Sequence, residues 1–384
     1  MKPECSSSDI ISGVPQYIIE AILCMVPIRD AVRTSILSKR WRYSWNRIPK
    51  LVVNEEDMFD EMKELTGRCK LFYAIHQVLL MHQGSILELS LSIDADNKCV
   101  EIDQIITYLS RKNTVKKLTL ELNGYKLPLS FFSLHQLTSL YLQHCNLDHQ
   151  PTTINGFGCL ESINLINLVI SKELIIHLVS KSPLLKSFAM VNISDDNNNL
   201  SPIFSRAFIC ELLGYMPAIQ QLYLDSDYEY VHQSDSSLPK IPTQLVHLKY
   251  AVLHEPFFMG DGLHFAVSLI RSSPNLEKIK LQSIEDPEET LGIDSLTATE
   301  YSDIWLEHLK ELELKFNHEI QGMEFLKLIM ARSPMLKVVI IHIRSTIDKD
   351  LMLRVISNIP RASDMVKIIV KHLVVPESPT DDEG

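Results

Sequence analysis

The 384-residue chain holds 14 histidines, 7 cysteines and 48 carboxylates, enough material for acid–base, nucleophilic or metal chemistry. Their spacing does not assemble it. There is no GxSxG elbow, HExxH helix, GxGxxG turn or GxxxxGK[ST] loop. His144, Cys145 and His149 come nearest to a ligand set. On a strand that turns Cys145 inward, the flanking histidines splay outward, so the thiol packs and no metal is held. His76 and His82 are six apart and do not share a helical face. No two carboxylates stand as an acid and base pair. Chemistry in the catalytic sense is not expected, and no cofactor or metal is called for.

The cationic side chains are distributed differently. Arg29, Arg33, Lys39, Arg40, Arg42, Arg47 and Lys50 crowd 29–50 against one acid, Asp30, in a chain of net charge −11. A basic head therefore precedes a long acidic body. An acidic body lacks the field that displaces counterions from nucleic acid, so nucleic acid is not an expected partner. No run of eighteen apolar residues is present, so no membrane span is expected. Seven cysteines at 5, 24, 69, 99, 145, 159 and 210, an odd number without a CxxC, point to a reducing compartment, cytoplasmic or nuclear.

The head that carries this basic run reads as three short helices. Pro15 suits a first helical position, and Ile18, Ile19, Ile22, Leu23 and Val26 follow at helical spacing. Pro27 ends that helix. Asp30 is placed as the cap of a second helix with Ala31, Val32, Ile36 and Leu37. Ser38 is placed as the cap of a third, with Trp41 and Trp45 four apart on one face.

The body repeats. A large apolar residue recurs at positions 0, +3 and +5 in Ile86/Leu89/Leu91, Val115/Leu118/Leu120, Leu137/Leu140/Leu142, Leu160/Ile163/Leu165 and Leu185/Phe188/Met190. It continues in Ile219/Leu222/Leu224, Leu245/Leu248/Tyr250, Leu276/Ile279/Leu281, Leu309/Leu312/Leu314, Leu336/Val339/Ile341 and Met365/Ile368/Val370. Starts lie 22 to 34 residues apart, the range of leucine-rich repeats. Pro183, Pro217, Pro274 and Pro334 stand two residues before four of the triples and stop the preceding helix. Leu263, Val267 and Ile270, and Met352, Val355, Ile356 and Ile359, keep helical spacing between strands. Each unit is thus strand, turn, helix and return, and stacking is needed to bury its apolar face. The expected fold class is α/β: a trihelical head followed by a curved leucine-rich-repeat solenoid of about eleven strand–helix units.

Positions +2, +4 and +6 of each strand alternate away from the core and line the concave face. They include Lys117, Glu121, Tyr141, Gln143, Gln221, Tyr223, Asp225, His247, Lys249, Lys278, Lys280, Glu311, Glu313 and Lys315. Of these, Tyr141, Gln143, Tyr223, Asp225, His247, Lys249, Lys278, Lys280, Glu311 and Glu313 are the candidates for binding a target protein. Two insertions, 225–244 and 283–305, interrupt the rhythm, and the polar tail 376–384 is expected to be disordered.

The segment from Asp9 to Val53 resembles a plant-type F-box. The resemblance is carried by Pro15, the apolar helix after it, Pro27, "DAVRTS" (Asp30–Ser35), "LSKRWR" (Leu37–Arg42) and Trp45, with Val14 and Val26 where the family usually has leucines. The end of the chain resembles an FBD region through "LKELELKF" (Leu309–Phe316), "SPMLKVVII" (Ser333–Ile341) and "NIPRASDMVKIIV" (Asn358–Val370). The resemblance implies an F-box at 1–53, repeats over 54–308 and an FBD region over 309–375 continuing the solenoid. It also implies a non-catalytic adaptor of a Skp–cullin–F-box ubiquitin ligase, docked on a Skp-family adaptor and through it on a cullin. The implied docking residues are Pro15, Ile18, Ile19, Ile22, Leu23, Pro27, Ala31, Ser35, Leu37, Ser38, Arg40, Trp41 and Trp45, with Arg33 and Lys39 at the rim. The alternatives are a scaffold or decoy outside any ligase, and a small-molecule-sensing receptor whose pocket would draw on Lys249, Lys278 and Lys280.

Overall fold

The structure, a computed structural model, describes residues 10–58, 65–95, 99–147, 157–194, 206–225, 241–254, 262–282, 305–315, 319–343 and 348–372. The two insertions fall largely outside these residues, and the acidic tail does so entirely. The chain divides into two compact units, Met1–Leu184 with Ile193–Asn198, and Leu185–Asn192 with Asn199–Gly384.

The first unit opens with α1 (Ile10–Gly13), α2 (Gln16–Leu23) and α3 (Ile28–Arg33). Pro15 (φ −59°, ψ 144°) and Pro27 (φ −55°, ψ 150°) each stand immediately before a helix, where a missing N–H costs nothing. Asp30 is therefore not a cap. Pro27 opens the helix three residues earlier, and Asp30 sits in the first turn, where a negative charge still favours the helix dipole. The expected third helix is reduced to turns and a 3-10 segment, Ser44–Arg47. Ser38 caps nothing: its hydroxyl has no partner, and its carbonyl takes the Arg42 N–H at 3.2 Å. Ile19, Leu23, Ile28, Ala31, Trp41 and Trp45 form the core of this head. The Trp41 indole satisfies its one donor on the Ile11 carbonyl at 3.1 Å.

The head runs straight into the sheet. β1 (Lys50–Asn54) is followed by α4 (Glu55–Met58), α5 (Leu65–Met81) and β2 (Glu88–Ile93), and β1 and β2 pair in parallel with Leu51 on Leu89 and Val53 on Leu91. Ile48/Leu51/Val53, all buried, is an additional triple at 0, +3 and +5 that sequence reading left inside the head. The junction is tied further. The Gln83 N–H donates to the Asn46 carbonyl at 2.8 Å, and the buried His82 ring spans from the Ile48 carbonyl (Nε2, 2.9 Å) to the Gly84 carbonyl (Nδ1, 3.1 Å).

Next come α6 (Val100–Lys112), β3 (Lys117–Lys126), β4 (Ser139–Leu147), β5 (Ser162–Ile166), β6 (Val169–Ile170, paired with β4) and α7 (Lys172–Ser180). α6 carries Glu101 and Asp103 in its first turn and Arg111 and Lys112 in its last, as the dipole favours, and ends on Asn113 in the left-handed region (φ 47°). The neighbours β1 to β5 are all parallel, and each buries its +3 and +5 residues.

The second unit continues the pattern: β7 (Ser187–Val191), α8 (Arg206–Gly214), β8 (Gln221–Asp225), β9 (Tyr250–His254), α9 (Gly262–Arg271), β10 (Lys278–Gln282), β11 (Glu311–Lys315), α10 (Glu319–Arg332), β12 (Val338–Ile343), α11 (Lys349–Ser357) and β13 (Lys367–His372). All neighbours are parallel. The fold is thus an α/β leucine-rich-repeat stack behind a helical head, and the repeat persists through β11 to β13. Helices α7 to α10 stop two or three residues before Pro183, Pro217, Pro274 and Pro334, as the proline spacing requires. The serine before three of those prolines adds a seal. Buried Ser182, Ser273 and Ser333 return their hydroxyls to the carbonyls of Leu178, Leu269 and Ile329 at 2.7, 2.6 and 2.7 Å.

The eleventh triple is incomplete: Met365 is 86% exposed, Ile368 half-buried and only Val370 buried. One register also differs from expectation. Leu222 pairs with Ala251, and Leu224 with Leu253, so the seventh triple is Leu248/Ala251/Leu253 and not Leu245/Leu248/Tyr250. Ala251 is fully buried but small, so a search for large apolar residues slides past it. Tyr250 then faces outward.

Candidate functional site: a helical docking head and the open face of the repeats

The head's docking candidates separate by burial. Ile19, Leu23, Ala31, Trp41 and Trp45 are interior, and Pro27, Ser35 and Ser38 are half-buried. Pro15, Ile18, Ile22, Leu37 and Arg40 are exposed. Ile18 and Ile22 lie one turn apart on α2, beside the buried stripe of Ile19 and Leu23 and at its exposed edge. Sequence reading missed four further exposed groups of the head: Tyr17, Met25 (84% exposed), Ile36 (89% exposed) and Tyr43. Ile36 and Tyr17 escaped because periodicity alone does not say which apolar residues the core has room for. Exposed apolar groups gathered in one short head with Arg33, Lys39 and Arg40, also exposed, make it the candidate interaction site.

On the repeats, Tyr141, Gln143, Tyr223, Asp225, Lys278, Lys280, Glu311 and Glu313 stand at +2, +4 or +6 of described strands, as expected. His247 and Lys249 do not. The shifted register puts both ahead of β9, exposed, with Lys249 3.5 Å from Glu277 and Glu277 2.6 Å from Lys310 in a row before the strands. The Glu277 carboxyl is held below its ordinary range, first by the Lys310 hydrogen bond. The +2, +4 and +6 positions of β9 belong to Tyr250, Val252 and His254.

His254 is buried, and its ring forms a cross-strand cluster. Nε2 lies 2.9 Å from the Tyr223 hydroxyl, and Nδ1 lies 3.1 Å from Asp225 Oδ1, off the direction a hydrogen bond needs. This resembles a hydroxyl–imidazole–carboxylate relay in composition. The phenol, however, is pushed up to about 12, first by burial and then by the Asp225 charge. A hydroxyl made less acidic is not an activated nucleophile, so the cluster clamps β8 to β9.

The lysines of β10 are spoken for. Lys278 reaches Glu311 at 2.6 Å and lies 5.6 Å from the Tyr250 ring centre, and Lys280 reaches Glu313 at 3.1 Å. Lys278 is held above its usual range, chiefly by the Glu311 hydrogen bond. Burial works against the Glu313 carboxylate, but Lys280 and His342 together hold its pKa below the ordinary range. A free cationic pocket for a small anion is therefore not what these lysines make. The apolar cavity lined by Ile28, Leu51, Val53, Ile75 and Leu89 encloses about 20 Å³, room for one water molecule at most. Cys145 is buried and pushed up to about 12 by desolvation, while His144 points to solvent. The thiol therefore packs, as its place on the strand implied. Among the described residues no group of His, Cys, Asp and Glu could hold a metal, and no helix is long and apolar enough to cross a membrane.

Fold and surfaces together define a leucine-rich-repeat binding protein with a helical docking head. The family model of the F-box domain matches residues 11–52, and the model "FBD-associated F-box protein At5g56370, LRR repeats" matches 107–226. The chain thus carries an F-box followed by leucine-rich repeats of the kind found in FBD-associated F-box proteins. It is similar to the F-box/FBD/LRR-repeat protein At1g13570 of Arabidopsis thaliana, at 29% identity across 94% of this chain and 98% of the relative. It is similar also to the Arabidopsis F-box/LRR-repeat protein At5g02910, at 28% identity across 48% of this chain and 38% of that one. Among solved structures it overlaps the leucine-rich repeat-containing protein LegL7 of Legionella pneumophila, at TM-score 0.32 and 14% identity over 67% of this chain and 91% of that one. It also overlaps the Leptospira interrogans LRR protein LIC12759, at TM-score 0.35 and 14% identity over 88% and 82%. Both overlaps are too loose to add to what the strands show. The domain content is that of a protein-interaction adaptor.

Proposed function

We propose that the chain is the substrate-recognition subunit of a Skp–cullin–F-box ubiquitin ligase. Its head docks a Skp-family adaptor, and through it a cullin, while the open face of the repeats holds a target protein. The observation that carries this is the division of the head's apolar residues. Ile19, Leu23, Ala31, Trp41 and Trp45 already complete its core, yet Ile18, Ile22, Met25 and Ile36 remain outside. Apolar side chains left outside a completed core suit burial against a partner. Pro15, Leu37, Ser35, Ser38 and Pro27 border it, and Arg33, Lys39 and Arg40 supply a cationic rim that raises the rate of encounter with an acidic partner. The head is fixed to the first repeats by β1 and the Asn46 and His82 bonds, so it docks with those repeats held in one orientation. The chain does no chemistry itself and acts by proximity.

The test is co-purification of the full chain with a plant Skp-family adaptor and cullin, beside an Ile22→Asp, Met25→Asp variant. Both positions are exposed, so the variant folds. A complex formed by the wild type and lost by the variant supports the proposal. No complex with any adaptor would leave a repeat-based scaffold outside any ligase as the better reading.

A further inference from the structure

We infer that the open face of β11 to β13 docks an extended acidic peptide segment with apolar side chains between its carboxylates. The inference rests on the proposed function, in which the repeats hold a target, and names the chemistry of what they hold.

Two independent features of this face agree. The first is charge. Both lysines of β10 meet an acid on β11, Lys278 on Glu311 and Lys280 on Glu313. One row further along, the pairing stops. Strand register aligns Gln282, Lys315, His342 and Lys371 side by side on β10 to β13. Lys315 and Lys371 make no ion pair among the described residues, and His342 alone shares Glu313, at 3.1 Å. Two lysines without an ion pair among the described residues, in a chain of net charge −11, make a local reversal of sign.

The second feature is apolar. The +2 and +4 positions of β10 and β11 carry Lys278, Lys280, Glu311 and Glu313, but β12 puts Val338 and Ile340 there, and β13 puts Ile369 beside Ile340. All three are half-exposed. Elsewhere in the second unit, outward aliphatic groups stand singly, as with Val191 and the buried Val252, and are not set side by side as Ile340 and Ile369 are. The apolar positions have Lys315 and Lys371 along one edge, and Glu311 and Glu313 beside them on β11 are taken up by Lys278 and Lys280; an apolar centre with a charged rim has the anatomy of a protein-binding surface. Its complement is apolar in the middle and anionic at the edge.

The geometry narrows the ligand further. Lys315 and Lys371 lie two strands apart, about 9.6 Å at the usual strand spacing. A polyproline-type chain turns once every three residues and rises about 9.3 Å in doing so. Carboxylates at every third position then meet both lysines from one side of the peptide, with apolar residues between them.

The probe is a fluorescein-labelled peptide of four Glu-Leu-Pro repeats, titrated by anisotropy against the full chain in complex with its Skp-family adaptor. The expected result is saturable binding that weakens with salt and falls at least tenfold in Lys315→Glu, Lys371→Glu. Lys181→Glu, an exposed reversal on the first unit, leaves the affinity unchanged. A Lys-Leu-Pro peptide of the same length does not bind. Equal binding of the two peptides, no saturable binding, or an affinity indifferent to the double reversal overturns the inference. Adaptor assembly is scored on the same samples. Assembly without peptide binding sinks this inference and leaves the adaptor function standing. Peptide binding by a free chain that assembles with no adaptor does the reverse.

Discussion

Replacing Gly84 by alanine adds one methyl group at the junction of the head and the first repeat. A Cβ there would stand 2.8 Å from the Arg47 carbonyl oxygen and 3.2 Å from both Arg47 C and Cα. All three are main-chain atoms, so no rotamer change relieves the contact. The backbone of 46–48 or of 83–85 has to move. That movement strains the Gln83 bond to Asn46 and the His82 bridge to Ile48, the ties that fix the head to β2. Overpacking of this kind costs about 1–3 kcal/mol, and a weakened hydrogen bond adds about 0.5–1.5 kcal/mol. A total near 3 kcal/mol lowers the melting temperature of a unit this size by about 6–12 °C. Differential scanning calorimetry of Gly84→Ala therefore shows the first transition moved down by several degrees, with the head's tryptophan fluorescence changing in the same transition. A melt within about a degree of the wild type would refute the claim that head and repeat are welded through this contact.

The division of the head into core and surface predicts opposite phenotypes. Trp41→Ala removes a buried indole and costs about 3–5 kcal/mol, so it unfolds the head and loses the adaptor through loss of structure. Met25→Asp, by contrast, melts as the wild type and loses adaptor affinity alone. Leu140→Asp buries an unpaired carboxylate in β4 and abolishes the cooperative melt of the first unit, read by circular dichroism. The register of β9 is tested by a pair: Tyr250→Asp leaves stability within about 1 kcal/mol, whereas Leu253→Asp unfolds the second unit; the reverse order would restore the register read from sequence. The Glu313 carboxylate has a depressed pKa in the fold, so its ion pairs contribute above the unfolded carboxylate pKa and are lost as pH falls through the lower folded value. Acid titration of Glu313→Gln accordingly shows a shallower loss of stability below the ordinary carboxylate range than the wild type.

The repeat was legible because its signal is redundant. Each strand needs apolar residues at three fixed positions, and proline marks the return in four places, so one weak position cannot hide a unit. Where the signal failed, it failed for size. Ala251 fills a place that needs only a small buried group, and the search for bulk moved the frame by three residues, carrying His247 and Lys249 onto a face they do not occupy. Ile48/Leu51/Val53 failed for a different reason: the basic head and the first strand share residues, and a boundary drawn from composition cuts through both.

The candidate binding face was less legible than the fold because its contacts lie between strands. Lys278 and Glu311 are 33 residues apart, and nothing in their local sequence says that a parallel register sets them 2.6 Å apart. Read along the chain, β10 looks basic and β11 acidic. Read across it, the lysines of β10 and the glutamates of β11 cancel, and Lys315, Lys367 and Lys371 are left without an ion pair among the described residues, though a linear reading gave them no priority. The same holds for the head, where Trp41 looks like an anchor in sequence and is core in space. In a stack of parallel strands, selection on a binding surface acts on rows that run perpendicular to the chain. Lysines without ion pairs among the described residues beside apolar positions, here at 315 and 371, are therefore a better guide to a candidate ligand than any contiguous motif this sequence contains.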